Sequence, residues 1–327
     1  MRISVAMCTY KGERFLEEQL RSIFEQTRKP DEIVLLDDCS PDGTAALAEK
    51  ILSECGIPHS ILVNETNRGV FYSFQKCILA CSGDVIFTAD QDDVWRKDKI
   101  ELMMREYEKD SSCMMVFSNS ELVDGELNSL GCDFWTSLNL RRAGLCDRIP
   151  QEKFRQLLMY YWAVPGTQMS FRRELAEKAF PIPEKKGWLH DSWLAVCAPA
   201  YGTVTALDEP LTLYRQHGKN TVGARANKRD RKEEDICQVQ KVLFYLKRHG
   251  DRLQNLLDVK GSEMPADYKA QVQKYVALFR SMEHYENDGR FKKMLFLLGR
   301  FFDGRLGAFD ISRGNVLRYL FYQVSGK

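Results

Sequence analysis

The amino-acid sequence predicts an α/β fold in which helices flank a mostly parallel sheet, followed by a helical C-terminal region. Over the first 120 residues, short apolar runs of β-forming residues alternate with segments whose apolar residues recur at helical spacing. Such alternation is typical of parallel strands that are joined by right-handed helical crossovers. Near residue 226 the composition changes to a charged run, Asn227 to Asp235, and the apolar periodicity beyond it is helical. We therefore predict two domains, residues 1–225 and 226–327.

The individual elements follow from this periodicity and from the turn-forming residues between them. The sequence predicts strands at Ile3–Thr9, Glu32–Asp37, Ser60–Asn64, Asp84–Thr88 and Met114–Ser118. It predicts helices between them at Leu16–Phe24, Thr44–Leu52, Val70–Cys81 and Lys97–Tyr107. Later elements are a helix at Gln151–Tyr160, a strand at Gln168–Phe171, a helix at Leu189–Ala198 and two short strands around Glu209-Pro210. Beyond the boundary, amphipathic helices are predicted at Ile236–Arg248 and Ala266–Tyr285.

Composition excludes several classes of protein. A net charge of +1 gives no sign of a nucleic-acid-binding surface. The ten cysteines include no C-x-x-C pair, and Cys8 and Cys77 lie in apolar patterns, so we expect buried thiols in a reducing compartment. The N-terminus has no signal-peptide pattern, and no apolar run approaches the roughly 20 residues that span a bilayer. These features predict a soluble cytoplasmic protein.

Three carboxylates, Asp90, Asp92 and Asp93, follow the predicted strand Asp84–Thr88. Carboxylates this close repel one another unless a positive charge lies among them. Mg²⁺ or Mn²⁺ would meet that need, because both prefer oxygen ligands and often share them with substrate phosphates. The alternative is a solvated acidic turn.

Polar residues also end the first two strands. Thr9, Tyr10 and Lys11 follow one of them, and Asp37 and Asp38 end the other. A carboxylate at this edge of a parallel sheet can accept a hydrogen bond from a base or from a ribose hydroxyl. The loop is not G-x-G-x-x-G, so NAD is not predicted. The alternative for the two aspartates is an Asx-turn and a helix cap.

Taken together, four segments resemble the family 2 glycosyltransferases with the GT-A fold. The segments are Val5–Gly12, Val34–Thr44, Asn67–Gly69 and Asp90–Asp93, in the order and approximate spacing of that family. The resemblance covers about residues 1–225. It implies a GT-A type sheet, a nucleotide-sugar donor and an inverting transfer to a hydroxyl group.

The resemblance also implies roles for individual residues. Thr9 and Asp38 match positions that hold a pyrimidine base, and Asp90 and Asp92 match the D-x-D motif that contacts the ribose and the metal-bound diphosphate. Asp93 is adjacent and could be the metal ligand instead. The nucleotide-sugar site is further assigned Tyr10 and Asn67, which lie in the matching segments.

Asp191 matches the family's general base, which removes the proton of the acceptor hydroxyl. It lies in His190-Asp191-Ser192-Trp193, at the start of a predicted helix, and His190 replaces the glutamate that usually precedes the base. The alternative is that Asp191 only caps the helix.

Further along, Arg215, His217 and Lys219 could bind the diphosphate, and His217 could complete the metal site. The alternative is that these three are ordinary surface residues.

The acidic motif, His190-Asp191 and Tyr214-Arg-Gln-His217 are most similar to rhamnosyltransferases that use dTDP-L-rhamnose. UDP-glucose or UDP-galactose would fit the same base contacts. In this family the acceptor is often a growing, lipid-linked surface polysaccharide. Two other classes of protein fit the sequence less well. A nucleotidyltransferase needs a glycine-rich basic loop, which Thr9–Glu13 does not match, and an intact Asp191 argues against a non-catalytic nucleotide-sugar-binding protein.

The C-terminal region mixes bulky apolar residues with cations in Phe291–Phe302, and Arg305, Arg313 and Arg318 follow. This segment could lie on the anionic inner face of the plasma membrane. Alternatively, it packs on the catalytic domain or in a homodimer.

Overall fold

The computed structural model describes residues 1–138, 140–141, 143–159, 163–184, 187–217 and 250–283. Its strands are β1 (Ile3–Thr9), β2 (Glu32–Asp37), β3 (His59–Val63), β4 (Val85–Asp90), β5 (Val94–Trp95), β6 (Cys113–Val123), β7 (Ser129–Asp133), β8 (Met169–Arg172) and β9 (Thr203–Arg215). Its helices are α1 (Leu16–Phe24), α2 (Thr44–Glu54), α3 (Gly69–Ala80), α4 (Lys99–Lys109), α5 (Phe134–Ser137), α6 (Gln151–Leu158), α7 (Arg173–Ala179), α8 (His190–Tyr201), α9 (residues 250–260) and α10 (Ala266–Glu283). A 3₁₀ turn, Gly166–Gln168, precedes β8.

In the described chain, the strands form one nine-stranded sheet in the order β3-β2-β1-β4-β8-β6-β9-β5, with β7 paired to β6. The strands from β3 to β4 are parallel, as helical crossovers require. Strand β8 enters antiparallel between β4 and β6, so the sheet is mixed beyond that point. The predicted α/β class, a sheet flanked by helices, is confirmed.

The register of the first strands brings the predicted loops together. Thr9 at the end of β1 is opposite Asp37 in β2, and Cys8 is opposite Asp90 in β4. The carboxyl ends of three parallel strands therefore meet at one edge of the sheet. The strand order reverses between β1 and β4, and open α/β sheets bind ligands in the crevice at such a point.

The core of the sheet is apolar on both faces because helices cover both faces of a parallel sheet. Leu16, Leu20 and Ile23 of α1 lie one helical turn apart and are fully buried against it. The thiols expected to be buried are free: Cys77 is buried and Cys8 is partly buried. Other core side chains include Ile3, Val5, Met7, Ile33, Leu35, Val85, Phe87, Ile100, Met103 and Leu211.

The prediction of two short strands around Glu209-Pro210 was wrong, because β9 runs without a break. In its pairing with β6, Ser118 is opposite Leu207 and the next residue, Asn119, is opposite Pro210. The two residues between them bulge out of the ladder. A bulge tolerates a proline, which has no backbone N–H to donate. Strands β5 and β7 and helix α7 were missed because short elements have little periodicity.

Helices α9 and α10 belong to a second compact unit, which is separate from the unit that contains the sheet. The predicted amphipathic helix Ala266–Tyr285 is present as α10. Four side chains of this unit are fully buried: Leu253, Leu256, Tyr268 and Val272. The predicted helix Ile236–Arg248, the segment Phe291–Phe302 and the boundary near residue 226 lie outside the described residues. No helix in the described ranges is long and apolar enough to cross a membrane.

Candidate active site

A cavity of about 650 Å³ lies at the carboxyl edge of β1, β2 and β4. Its size is in the range of small-molecule sites. The predicted site residues line it except Asp93 and Arg215, and the candidate Lys219 lies outside the described residues. Its wall comprises Cys8, Thr9, Tyr10, Lys11, Arg14, Phe15, Asp38, Asn67, Gly69, Val70, Ser73, Phe74, Asp90, Gln91, Asp92, Phe134, Leu138, Pro165, Gly166, Thr167, Leu189, His190, Asp191, Tyr214 and His217.

Asp37 holds the turn that follows β2. Its Oδ1 accepts hydrogen bonds from the hydroxyls of Thr9 at 2.8 Å and Ser40 at 2.6 Å, and its Oδ2 accepts the N–H of Ser40 at 2.7 Å. Asp37 therefore closes the turn through the N–H three residues on, so it has the structural, turn-holding role that the sequence left open. The Thr9 hydroxyl is therefore oriented by Asp37 in the wall of the cavity.

Asp38 anchors the start of α3. Its carboxylate accepts the backbone N–H groups of Arg68 at 2.8 Å and Gly69 at 2.7 Å, and the amide of Asn64 at 2.8 Å. Burial acts to raise the pKa of Asp38, but these hydrogen bonds outweigh it and lower the pKa below its usual value. Asn67 donates its amide to the Asp38 carbonyl at 3.3 Å. Asp38 thus accepts the backbone N–H groups at the start of α3 and also lines the cavity. Its role in binding a base stays a prediction.

Gln91 ties the β1 loop to the acidic loop, which we define as Asp90 to Asp93. Its Oε1 accepts the Tyr10 N–H at 2.8 Å, and its Nε2 donates to the Tyr10 carbonyl at 3.0 Å. Gly12 leaves room for this side chain, since a Cβ there would lie 2.3 Å from the Gln91 Oε1. The Tyr10 side chain stays 40% exposed and available to a ligand.

The acidic loop is electrostatically crowded. Burial, followed by the nearby charges of Asp92 and Asp191, raises the pKa of Asp90 to about 7. Asp93 is fully buried, and burial together with Asp92 and Asp90 raises its pKa well above the usual value. Asp92 lies at the cavity, where its Oδ2 is 2.7 Å from Nε2 of His217.

Asp191 lies in the first turn of α8 and faces the same cavity. It is 8% exposed. Its Oδ2 accepts the N–H of Gly166 at 3.1 Å, and its Oδ1 accepts the N–H of Ser192 at 2.5 Å. The hydroxyl of Thr88 in turn donates to the Gly166 carbonyl at 2.5 Å, so the sheet fixes the turn that orients the carboxylate.

Comparison with known proteins identifies the family. A family model described as glycosyl transferase family 2 matches residues 4–178, from β1 to α7. The chain belongs to glycosyl transferase family 2. A dTDP-rhamnosyl transferase, RfbG of Shigella flexneri, is 31% identical over 229 residues, which are 67% of this chain and 74% of that protein. An uncharacterised glycosyltransferase of Nostoc sp. is 27% identical over 226 residues, 67% of this chain and 66% of its own length.

Solved structures agree on the fold. The crystal structure of S. aureus TarS 1-349 in complex with UDP-GlcNAc superposes with a TM-score of 0.59 at 17% identity, covering all of this chain and 93% of that one. The TarS 1-349 structure without that ligand gives a TM-score of 0.57. The protein is thus a glycosyltransferase with the GT-A fold. The family match ends at residue 178 and does not reach Asp191 or His217, whose roles stay predictions.

Arg215 of this glycosyltransferase holds the acidic loop in place through hydrogen bonds. Its guanidinium, 2% exposed, donates to the Asp92 carbonyl at 2.7 Å and the Gly125 carbonyl at 2.5 Å, and it pairs with Glu18. Its backbone N–H donates to the Asp93 Oδ1 at 3.0 Å. These contacts hold the loop from behind, and Arg215 does not line the cavity. The predicted contact of Arg215 with a diphosphate therefore has no support from its position.

The cations that do line the cavity in the described ranges are Lys11 and Arg14. They were missed because lone basic residues near a turn resemble ordinary surface residues. Lys11 has a left-handed backbone, φ 54°, which non-glycine residues seldom adopt. This conformation lies in the loop that presents Tyr10 to the cavity.

A buried lysine, Lys99 at the start of α4, lies behind the acidic loop and was also missed. Its Nζ donates to the Thr167 carbonyl at 2.7 Å and the Thr212 hydroxyl at 2.8 Å. Burial lowers its pKa to about 7, although Asp93 and Asp90 act in the opposite direction. Lys99 thus places a buried amine close to a cluster of carboxylates.

The fit of a divalent cation rests on Asp92 and His217, the two predicted ligands that line the cavity. Within the described part of the chain, no three His, Cys, Asp or Glu side chains converge as a complete cation site. Two protein ligands suffice where substrate phosphates and water complete the shell, as is usual for Mg²⁺. Asp93, whose Oδ1 accepts a hydrogen bond from Arg215, is turned away from that position.

Proposed function

We propose that this glycosyltransferase moves a sugar from a nucleotide-sugar donor to a hydroxyl of a glycan, with inversion at the anomeric carbon and with Asp191 as the general base. The proposal rests on one observation. A single cavity joins the β1 and β2 loops, the metal-binding candidates Asp92 and His217, and a buried carboxylate on α8. These are the three parts that the reaction needs.

The nucleotide side of the cavity is formed by Thr9, Tyr10, Asp38 and Asn67. We assign it the base and ribose, because the ends of parallel strands offer polar groups for both. Asp90, between this side and Asp191, is assigned to the ribose or the sugar. Lys11 and Arg14 add positive charge for the diphosphate.

Asp191 suits the role of base because its carboxylate is fixed and desolvated beside the cavity. The acceptor oxygen attacks the anomeric carbon while Asp191 takes the hydroxyl proton. The bond from the anomeric carbon to the diphosphate oxygen breaks, and its electron pair leaves with the nucleoside diphosphate. Attack on the face opposite the leaving group inverts the configuration.

Asp92 and His217 would hold Mg²⁺ or Mn²⁺. When bound, the cation would neutralise the charge that develops on the departing diphosphate. Burial, and after it the charges of Asp92 and Asp191, raises the pKa of Asp90 to about 7, and a bound cation would offset the part that is due to those charges. We therefore expect transfer to require the metal.

The proposed donor is dTDP-L-rhamnose. It is favoured by the 31% identical relative, which is named a dTDP-rhamnosyl transferase. The cavity wall also includes the apolar side chains of Val70, Phe74, Leu138 and Leu189. L-Rhamnose carries a methyl group in place of a hydroxymethyl group, so an apolar wall can accept it without leaving a hydroxyl unpaired. The proposed acceptor is a growing surface polysaccharide, reached at the inner face of the plasma membrane.

The test is a donor screen on the full chain. Turnover of dTDP-L-rhamnose, UDP-glucose, UDP-galactose and GDP-mannose is measured with Mg²⁺, with Mn²⁺ and in excess EDTA, and NMR reports the anomeric configuration of the product. We expect dTDP-L-rhamnose to be turned over fastest, with inversion and only with metal. A UDP-hexose preference would overturn the donor assignment, and full turnover in EDTA would overturn the metal assignment. Binding of donors without any transfer would indicate a non-catalytic binding protein.

A further inference from the structure

His190 has a buried imidazole whose two nitrogens lack hydrogen-bond partners within the described chain. The residue is 3% exposed and lines the cavity next to Asp191. Its ring stacks on Phe74, with centroids 3.9 Å apart and planes 18° apart. Burial lowers its pKa to about 3, so the imidazole is neutral at physiological pH.

Such a group is unusual, because buried polar side chains in folded proteins nearly always have a partner. Leaving a buried donor or acceptor unpaired costs free energy. An aromatic residue without nitrogens would stack on Phe74 equally well and avoid that cost. The position of the ring in a cavity wall indicates that a ligand supplies the missing partner.

Gly166 shows that the surroundings are shaped to this ring. A Cβ on Gly166 would lie 2.6 Å from the Nε2 of His190, closer than real contacts allow. Phe74 on one side and the Gly166 turn near the ring edge therefore confine the imidazole. Because Gly166 also donates to Asp191, one turn places both the ring and the carboxylate.

The chemistry of the site selects the ligand group. A neutral imidazole offers one N–H donor and one acceptor, and a sugar hydroxyl is likewise both. A phosphate is a poorer match, because it prefers cationic donors such as Lys11 and Arg14 elsewhere in the wall. Phe74, which stacks on His190, and Val70 in the same cavity wall are apolar and suit the C–H face of a sugar ring.

We propose that His190 binds a hydroxyl of one of the two reacting sugars and so helps to select that sugar, an inference that rests on the proposed transferase function. A small shift of the ring when the ligand binds would bring a nitrogen into contact with the hydroxyl. The hydroxyl can belong to the donor sugar or to the acceptor, since Asp191 is adjacent to both at the moment of transfer.

The test compares His190→Phe, which keeps the shape and the stacking but removes both nitrogens, with His190→Gln, which keeps a donor and an acceptor. Calorimetry measures the affinity for dTDP and UDP and for dTDP-L-rhamnose and UDP-glucose, and transfer assays give the acceptor KM and kcat. A thermal melt reports folding, and His190→Met replaces the Phe variant if that variant fails to fold.

We expect His190→Phe to bind the free nucleoside diphosphates like wild type and to melt at the same temperature or higher. It should lose about tenfold or more either in affinity for the nucleotide sugar or in acceptor KM, a loss of about 1.4 kcal/mol. The first result assigns the hydroxyl to the donor and the second to the acceptor. His190→Gln should recover most of the loss.

The inference is overturned if His190→Phe matches wild type in both quantities. It is also overturned if affinity for free dTDP or UDP falls as much as affinity for the nucleotide sugar, because the ring would then act on the nucleotide or on folding. Failure of the wild type to transfer any sugar would instead refute the proposed function, so the two failures are distinguishable.

Discussion

Replacement of Asp191 by asparagine separates its chemical role from its structural role. Both carboxylate oxygens accept a backbone N–H, from Gly166 at 3.1 Å and from Ser192 at 2.5 Å. An amide has only one oxygen, so in either orientation its NH₂ group faces an N–H donor. The variant therefore keeps the shape of the side chain but leaves one buried donor unpaired.

The expected magnitudes differ for stability and for rate. An unpaired buried donor costs about 1–3 kcal/mol, and each kcal/mol lowers Tm by about 2–4 °C in a domain of this size. Loss of a general base slows the chemical step by about 10²–10⁴-fold, which is about 2.7–5.5 kcal/mol of activation free energy. Nucleotide affinity should change little, because in the proposed assignment Asp191 contacts the acceptor hydroxyl and not the nucleotide.

The assay is single-turnover transfer at a temperature well below both melting points, with a thermal melt and nucleotide calorimetry beside it. Asp110→Asn is the matched control. Asp110 also accepts a backbone N–H, from Ser112 at 2.8 Å, and a hydroxyl, from Thr203 at 2.6 Å, but it does not line the cavity. The control should lose stability without losing rate. Near-wild-type transfer by Asp191→Asn would show that another group is the base.

Three further predictions concern the residues around the cavity. Asp38→Ala removes the acceptor at the start of α3 and should weaken dTDP or UDP by about 1–3 kcal/mol; unchanged affinity by calorimetry would contradict the base contact. Burial lowers the pKa of Lys99 from 10.5 to about 7, so the unfolded chain binds the extra proton between these values; wild type should therefore gain up to about 1.4 kcal/mol per pH unit in free energy of unfolding relative to Lys99→Met as pH rises from 7 to 10, and a difference that stays constant over this range would contradict the burial of the amine. Burial lowers the pKa of His190 from 6.5 to about 3, so the unfolded chain binds the extra proton between these values. Wild type should therefore lose up to about 1.4 kcal/mol per pH unit relative to His190→Phe as pH falls below 6.5, and a gap in Tm that stays constant from pH 7 to pH 5 would contradict this.

Much of the fold was predictable because each early element has a clear local pattern. Strands β1 and β4 are buried on both faces, so they read as continuous apolar runs, and α1 shows its buried stripe at Leu16, Leu20 and Ile23. Parallel pairing then brings the ends of β1, β2 and β4 to one edge whatever the details of the side chains. Thr9, Asp38 and Asp92 could therefore be placed in one site from the sequence alone.

The loops that form the site were predictable from the amino-acid sequence, since they depend on the succession of strands and on the residue types at strand ends. Which side chains face the cavity depends on packing between distant segments and became known from the three-dimensional structure. Arg215 pairs with Glu18, 197 positions away, and Lys99 is held by Thr212, 113 positions away. Arg215 holds the acidic loop, and the amine of Lys99 is bound inside the protein. Ionisable groups removed from water need hydrogen-bond or charged partners, and here those partners come from distant segments of the chain. His190 found none within the described residues, and that absence becomes visible only when the residues packed around the ring are known.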